Sequence, residues 1–139
     1  MAYWLLKSEP NVWSIDQQIK AGSKGADWDG VRNYQASNNM KKMEIGDLAF
    51  FYHSVNEKSI VGIVSIIEKY QDDPTDKTGR FGMVVVKAIK SFTKSVSLSE
   101  IKSNQKLQEI SLIKQSRLSV MPISKEHWDI ILEMGKTSI

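Results

Sequence analysis

Two apolar runs joined by a polar connection, SIVGIVSII (residues 59–67) and FGMVVVKAI (residues 81–89), decide how this chain folds. Both are rich in β-branched side chains and are too continuously apolar to face water along much of their length, which is typical of buried strands. The stretch between them, QDDPTDKTG (residues 71–79), is rich in turn-forming residues and predicts a surface hairpin or loop. The sequence therefore predicts two buried strands joined by a polar connection.

Three other stretches predict strands. AYWLLK (residues 2–7) is a short apolar and aromatic run, and IGDLAFFYHS (residues 45–54) follows a Gly-Asp turn. SRLSVMPIS (residues 116–124) is predicted to be extended and to stop at Pro122. Several long apolar strands and few helices predict an α+β fold, in which a mixed sheet closes on itself as a barrel of about five to six strands flanked by short helices.

Helix starts are marked by serine caps. Ser14 with Gln17, and Ser97 with Glu100, have the spacing of capping boxes, in which a side chain returns a hydrogen bond to the cap. The remaining segments are a loop over residues 22–30, a short helix over residues 34–43, and a final helix after Ser124 with Trp128, Ile131 and Leu132 on one face and Gly135 at its end.

Length and composition restrict the class of protein. The 139 residues are enough for one domain, residues 1–139, with a self-sufficient core. The absence of cysteine excludes disulfides, thiolate metal sites and a cysteine nucleophile, and fits an intracellular protein. There is no apolar stretch of about 20 residues and no signal-like N-terminus, so we expect no membrane span and a cytoplasmic location.

Basic side chains are concentrated in the second half of the chain. The protein has 19 Lys and Arg against 16 Asp and Glu, a net charge of +3. Residues 1–70 carry eight of each sign, whereas residues 87–117 carry seven basic and two acidic side chains. Such a stretch is either a solvated lysine-rich face or a footprint for the phosphates of a nucleic acid.

The motifs of common enzyme classes and cofactor sites are missing. The sequence has neither a glycine-rich phosphate loop nor a G-x-S-x-G nucleophile turn. His53 and Ser54 are neighbours on a predicted strand, so their side chains point to opposite faces and cannot pair directly. Asp72, Asp73 and Asp76 lack the EF-hand pattern and indicate a solvated turn. We therefore expect no enzyme, no cofactor and no metal site.

Four short clusters suggest a binding pocket: KSEP (residues 7–10), WDGVRNYQ (28–35), YHS (52–54) and SRLS (116–119). Three of them lie at the ends of predicted strands, where a rigid scaffold presents polar groups to a site. A planar heterocycle can stack on Trp or Tyr while polar groups hydrogen-bond to its edge, as in pockets for bases extruded from nucleic acids. A cation–π cage for methylated lysine is an alternative that uses similar residues.

Structural roles for residues of the second cluster stay open. Trp28 lies between two aspartates in a glycine-rich loop and is hard to bury completely, which favours a ligand contact. Arg32 is either a ligand contact or an ion-pair partner of Asp29 or Asp27, and Tyr34 either contacts a ligand or holds the loop to the core.

Five blocks of the sequence resemble the EVE domain family, and they occur in the order of that family: YWLLKSEP (residues 3–10), WDGVRNYQA (28–36), GDLAFFYHS (46–54), IVGIVSIIEKYQDDPT (60–75) and RLSVMPIS (117–124). The resemblance extends from residue 2 to about residue 134. It implies a PUA-like fold similar to YTH domains, and a non-catalytic reader of a modified cytosine or adenine in DNA or RNA.

The resemblance also implies a set of pocket residues. Carried over by motif, these are Ser8, Glu9, Trp28, Val31, Arg32, Asn33, Tyr34, His53, Ser54, Arg117, Leu118 and Ser119. As hypotheses, Trp28 and Tyr34 form stacking walls, while Asn33, Ser8, Ser54 and His53 contact the edge of the base. Glu9 either accepts from an exocyclic amino group or organises its loop.

Contacts to the nucleic-acid backbone are expected from the basic segment. We assign them to Arg117 together with Lys87, Lys90, Lys94 and Lys114. The chain departs from the family at Ser37, where the usual arginine of NYQARN is replaced, so a phosphate contact from this position is in doubt.

Two other functions remain open on the sequence alone. One is a small-molecule pocket for a free nucleobase, nucleoside or related metabolite. The other is an interaction protein whose pocket is vestigial. Salt dependence separates the first from a nucleic-acid reader, because a polyanion responds strongly to salt and a free nucleobase barely does.

Overall fold

The computed structural model describes all 139 residues and contains one mixed sheet of six strands. The strands are β1 (Tyr3–Ser8), β2 (Ala26–Trp28), β3 (Leu48–His53), β4 (Ser59–Asp72), β5 (Gly82–Ser97) and β6 (Val120–Ile123). Their order is β2-β5-β4-β3-β1-β6, with β1 parallel to β3 and all other pairs antiparallel. The predicted PUA-like α+β fold of about six strands is confirmed, but the sheet does not close on itself as predicted, because no hydrogen bonds join the edge strands β2 and β6.

Short helices connect the strands. They are α1 (Ile15–Lys20), α2 (Tyr34–Lys41), α3 (Leu98–Ser103), α4 (Ser111–Lys114) and α5 (Lys125–Met134), with 3₁₀ turns at Gly22–Lys24 and Gln105–Leu107. Both predicted capping boxes are present, and Ser124 caps α5 as predicted. No helix combines the length and the apolar character that a membrane crossing needs.

The hairpin of β4 and β5 is the longest pairing in the sheet. The two strands have 14 and 16 residues, so both extend beyond the apolar runs that predicted them. Their register shifts at four places. Because β-bulges bend a strand and increase its twist, these irregularities give the hairpin its curvature. The outer side of β5 pairs with β2, and the outer side of β4 pairs with β3. Beyond β3 the sheet continues with β1 and β6.

Two short segments differ from the prediction. The stretch predicted as a loop over residues 22–30 contains β2, which pairs with Val84–Val86 of β5. A strand of three residues carries no periodic signal, and it forms here because the long β5 offers it a partner. The last strand does not stop at Pro122 but runs through it. β6 pairs only with β1, and an edge strand tolerates a proline on its free side.

A cluster of aromatic rings holds α5 against the sheet. Trp128 stacks on Phe50 with ring centroids 3.8 Å apart and an interplanar angle of 11°. Phe92 meets the same Phe50 ring edge-on at 5.5 Å, and Tyr3 lies 4.6 Å from Trp128. Buried aromatic pairs of this kind contribute large apolar area as well as specific geometry. The apolar face predicted for the last helix therefore packs into the core.

The turn before β2 depends on a glycine. Gly25 has φ +76°, and a Cβ there would lie 2.5 Å from the carbonyl oxygen of Val86. Gly22 also has a positive φ, +63°, but a Cβ there would meet nothing within 4 Å. We expect Gly25→Ala to lower the free energy of unfolding by about 1–3 kcal/mol more than Gly22→Ala, because only the former also forces backbone apart. Urea unfolding of both variants measures this, and equal losses would contradict it.

Candidate functional site

A cavity of about 680 Å³ lies beside the ends of β1 and β2. Its lining residues are Lys7, Ser8, Glu9, Val12, Trp13, Ala26, Asp27, Trp28, Asp29, Gly30, Val31, Arg32 and Ser119. Six of the residues that the sequence predicted for the site are among them: Ser8, Glu9, Trp28, Val31, Arg32 and Ser119. A larger groove of about 910 Å³ lies between α3 and α5, with neither a tryptophan nor a strand end in its wall.

One wall of the cavity is the turn that follows β1. The carbonyl oxygen of Glu9 accepts hydrogen bonds from the N–H groups of Val12 and Trp13, both at 2.9 Å. The Ser8 hydroxyl donates to the carbonyl oxygen of Trp13 at 2.6 Å. These bonds close a tight turn in which Val12 is 66% exposed and Trp13 lines the cavity. The hydroxyl of Ser8 therefore organises this wall.

A buried glutamine connects this wall to the sheet. The indole N–H of Trp13 donates to Oε1 of Gln18 at 2.8 Å, and Nε2 of Gln18 donates to the carbonyl oxygen of Val86 at 3.1 Å. Gln18 is completely buried, and Val86 is the β5 partner of Ala26. This short chain of hydrogen bonds therefore reaches from Trp13 to β5, the strand that pairs with β2 and its Trp28.

The second wall is β2 and the loop after it. Trp28 is only 7% exposed and packs edge-on against Phe51 with ring centroids 5.4 Å apart. The expectation that Trp28 would resist burial is wrong, because it lies on a strand over the core and not in a loop. Trp28 still lines the cavity, and none of the aromatic pairs in the structure joins it to Trp13.

A buried carboxylate fixes the loop after β2. Oδ2 of Asp73 accepts from the N–H of Gly30 at 2.8 Å and from Nη1 of Arg32 at 3.0 Å, while Oδ1 accepts from the N–H and hydroxyl of Thr75. Burial alone would raise the pKa of Asp73, but these hydrogen bonds outweigh it and lower the pKa to about 2. Arg32 thus has its ion-pair partner in Asp73, and not in the predicted Asp27 or Asp29.

Both signs of charge face the cavity. Burial lowers the pKa of Lys7, whose Nζ donates to the carbonyl oxygen of Ser116 at 2.8 Å. Burial, followed by the charges of Asp73 and Asp27, raises the pKa of Asp29. A hydrogen-bond donor from a ligand would therefore stabilise the charged form of the Asp29 carboxylate. Sequence reasoning did not assign Lys7, Trp13 or Asp29 to the site, although Lys7 and Asp29 lie within the clusters it singled out.

Three predicted residues line a separate pocket next to this cavity. Asn33, Arg117 and Leu118 surround a space of about 310 Å³ together with Gln35, Gln115 and Ser116. We call it the amide pocket, after its one asparagine and two glutamines. Oδ1 of Asn33 caps α2 by accepting from the N–H of Ala36 at 2.9 Å.

The other predicted pocket residues lie outside both spaces. Tyr34 is 60% exposed and packs on Phe81, with ring centroids 4.9 Å apart. His53 is buried, and its Nε2 accepts from the N–H of Ile15 at 3.1 Å. Ser54 donates its backbone N–H to the carbonyl oxygen of Ser8, so it supports the end of β1 from outside the cavity.

The lysines predicted for backbone contacts are spread over the surface. Lys94 pairs with Glu100, and Lys114 pairs with Glu109. Lys87 and Lys90 line a third, shallow pocket beside α1, and the Nζ of Lys90 donates to the carbonyl oxygen of Ser138. The basic segment therefore does not form one continuous patch at the cavity.

Ser37, where the family usually has arginine, points into the protein. It is buried on α2, and its hydroxyl shares a hydrogen bond of 2.7 Å with the hydroxyl of Tyr70 on β4. In this chain the position therefore makes an internal contact and does not face the cavity. No group of three or more His, Cys, Asp or Glu side chains is arranged to hold a metal ion.

Comparison with known proteins gives a consistent result. The family model "EVE domain" matches residues 2–134. Mouse thymocyte nuclear protein 1 is 34% identical over 97% of this chain and 74% of its own length. An NMR structure from Rhodopseudomonas palustris is 47% identical, covers 98% of this chain and 94% of its own, and has a TM-score of 0.92.

One similar structure was solved with a ligand. The human THYN1 protein in complex with DNA containing 5-methylcytosine is 31% identical, has a TM-score of 0.87, and matches over 100% of both chains. With the family model matching nearly its whole length, this chain belongs to the EVE domain family.

Proposed function

We propose that the chain is a non-catalytic reader of 5-methylcytosine in DNA, and that the modified base is extruded from the duplex into the 680 Å³ cavity. The observation that carries this proposal is a cavity with an indole on each of two walls and carboxylates at its edge. The human relative solved with 5-methylcytosine DNA supports the choice of ligand. Cavities of about 300–1,000 Å³ are the usual size for small planar ligands.

The chemistry of the cavity fits a cytosine. A base that stacks on Trp13 or Trp28 gains about 1–3 kcal/mol. The exocyclic amino group of cytosine is a donor that carboxylates accept from, and Glu9 and Asp29 both face the cavity. The apolar side chain of Val31 offers a surface to the added methyl group. In this assignment Trp13 replaces Tyr34 as the second aromatic contact, because Tyr34 lies outside the cavity.

The phosphates near the extruded base would be held by Lys7 and Arg117. Lys7 lines the cavity and Arg117 lines the adjacent pocket. Neither takes part in an ion pair within the protein, so each has its charge available for a phosphate. Binding of a free nucleobase or nucleoside is the second candidate function, which the size of the cavity also favours.

Removing the indole of Trp28 should weaken discrimination of the methylated base. Trp28→Leu keeps an apolar side chain against Phe51 but loses stacking, so the affinity for methylated DNA should fall about 5- to 100-fold, towards the affinity for plain DNA. Fluorescence anisotropy with matched oligonucleotides measures the ratio, and circular dichroism checks the fold. Tyr34→Leu is the control and should keep the preference. Equal binding of both oligonucleotides by the unaltered protein would overturn the proposed function.

The salt dependence of binding should identify the charged contacts. Affinity for DNA should fall linearly on a log–log plot against salt, and Arg117→Gln should reduce the slope by about 1. Lys94→Gln should leave it unchanged, since Lys94 is paired with Glu100. Titration with 5-methylcytidine as free nucleoside should show almost no salt effect. Salt-independent binding of DNA would favour the small-molecule function instead.

Acidification should weaken binding if Asp29 accepts from the cytosine amino group. The pKa of Asp29 is raised, so affinity should be full at higher pH and lost as the pH falls through a value above the ordinary aspartate range. Asp29→Asn should bind more weakly and lose this part of the pH dependence. Asp16→Asn, at an exposed position on α1, should keep it. An unchanged pH profile in Asp29→Asn would exclude this role.

A further inference from the structure

We propose that the amide pocket is a second subsite, which takes the nucleotide adjoining the modified base and prefers a purine there. This inference rests on the proposed function, because it assumes that a nucleic-acid strand runs through the first cavity. It adds to that function a dependence on sequence context.

The polar side chains of the amide pocket are uncommitted. Gln35, Gln115 and Arg117 are exposed, and none of their side-chain atoms takes part in a hydrogen bond or ion pair within the protein. Asn33 uses its Oδ1 to cap α2, which leaves its amino group free and fixes the direction in which that group points. Four donors from two different segments therefore surround one space of about 310 Å³.

The amide pocket shares its boundary with the cavity at three points. Arg32 lines the cavity and Asn33, the next residue, lines the amide pocket. In the same way, Leu118 lines the amide pocket and Ser119, the next residue, lines the cavity. Consecutive Cα atoms are only about 3.8 Å apart. The third point is the hydrogen bond of 2.8 Å from Lys7 to the carbonyl oxygen of Ser116. Adjacent nucleotides of one strand can therefore occupy both spaces.

The donors present favour a purine. The amino groups of asparagine and glutamine donate to N7 of adenine and guanine. Each purine presents a second polar group beside N7 in the major groove, whereas thymine presents the single acceptor O4 and cytosine presents a donor. A glutamine amide can also pair with the N7 and amino group of adenine at the same time. The pocket has no carboxylate, the side chain that typically accepts from the amino group of cytosine, so a cytosine there would meet only neutral acceptors.

The test is a set of duplexes with one 5-methylcytosine and each of the four bases in turn on either side of it. We expect the unaltered protein to bind the best purine context about fivefold or more tightly than the pyrimidine contexts. The double variant Gln35→Ala, Gln115→Ala should reduce this preference to less than about twofold and keep the preference for methylated over plain cytosine. Alanine favours the helix at position 35, so folding should not suffer.

Gln105→Ala is the matched control, since Gln105 is exposed and lies in the 3₁₀ turn Gln105–Leu107, outside both spaces. It should behave like the unaltered protein. Discrimination of methylated cytosine with equal affinity in every context would overturn the second subsite and leave the proposed function standing. Persistence of the context preference in the double variant would also overturn it. No discrimination of methylated from plain DNA would remove the proposed function, and the subsite with it.

Discussion

The antiparallel pairing of β4 with β5 is the constraint on which the rest of the structure depends. One side of this hairpin pairs with β3 and through it with β1 and β6, while the other side pairs with β2. The polar connection of the hairpin, in turn, supplies Asp73, which binds Gly30 and Arg32 in the loop that lines the cavity. The same element therefore sets the curvature of the sheet and holds the wall of the candidate site, so the fold and the site cannot be considered independently.

Asp73 makes that dependence electrostatic as well as geometric. A buried carboxylate needs donors, and this one obtains them from the loop after β2 and from its own turn. If the loop moved away, the carboxylate would lose the hydrogen bonds from Gly30 and Arg32 and would keep only those from Thr75. With these donors in place the pKa of Asp73 is about 2, so the carboxylate is ionised at neutral pH and moving the loop away would cost free energy. The loop is therefore held by this carboxylate as well as by the side chain of Val31, which is buried in the core.

Local signals in the sequence were sufficient for much of the fold. The two apolar runs and the capping boxes at Ser14 and Ser97 each depend on residues a few positions apart, and each was predicted. Features that depend on a partner far away in the sequence were not predicted. β2 exists because β5 pairs with it, and Arg32 finds Asp73 at a separation of 41 residues.

The candidate site was predicted as one pocket but is divided in the structure. Asn33 was expected to contact a base, but its side-chain oxygen Oδ1 caps α2, a role in which asparagine is common, so only its amino group is left for a ligand. Because α2 begins directly after Asn33, Arg32 lines the cavity whereas Asn33 and Gln35 line the amide pocket. Trp13 escaped notice because its place at the cavity depends on the turn closed by Glu9 and on Gln18.

The completely buried amide of Gln18 has a consequence for how the cavity works. Its oxygen is bound to the indole of Trp13 and its nitrogen to the backbone of β5, next to the strand that carries Trp28. The amide acts as a spacer of fixed length, so the position of Trp13 relative to that strand is a property of the folded chain, already set before anything enters. A flat ligand of the proposed kind would then lose little free energy to ordering these contacts on binding.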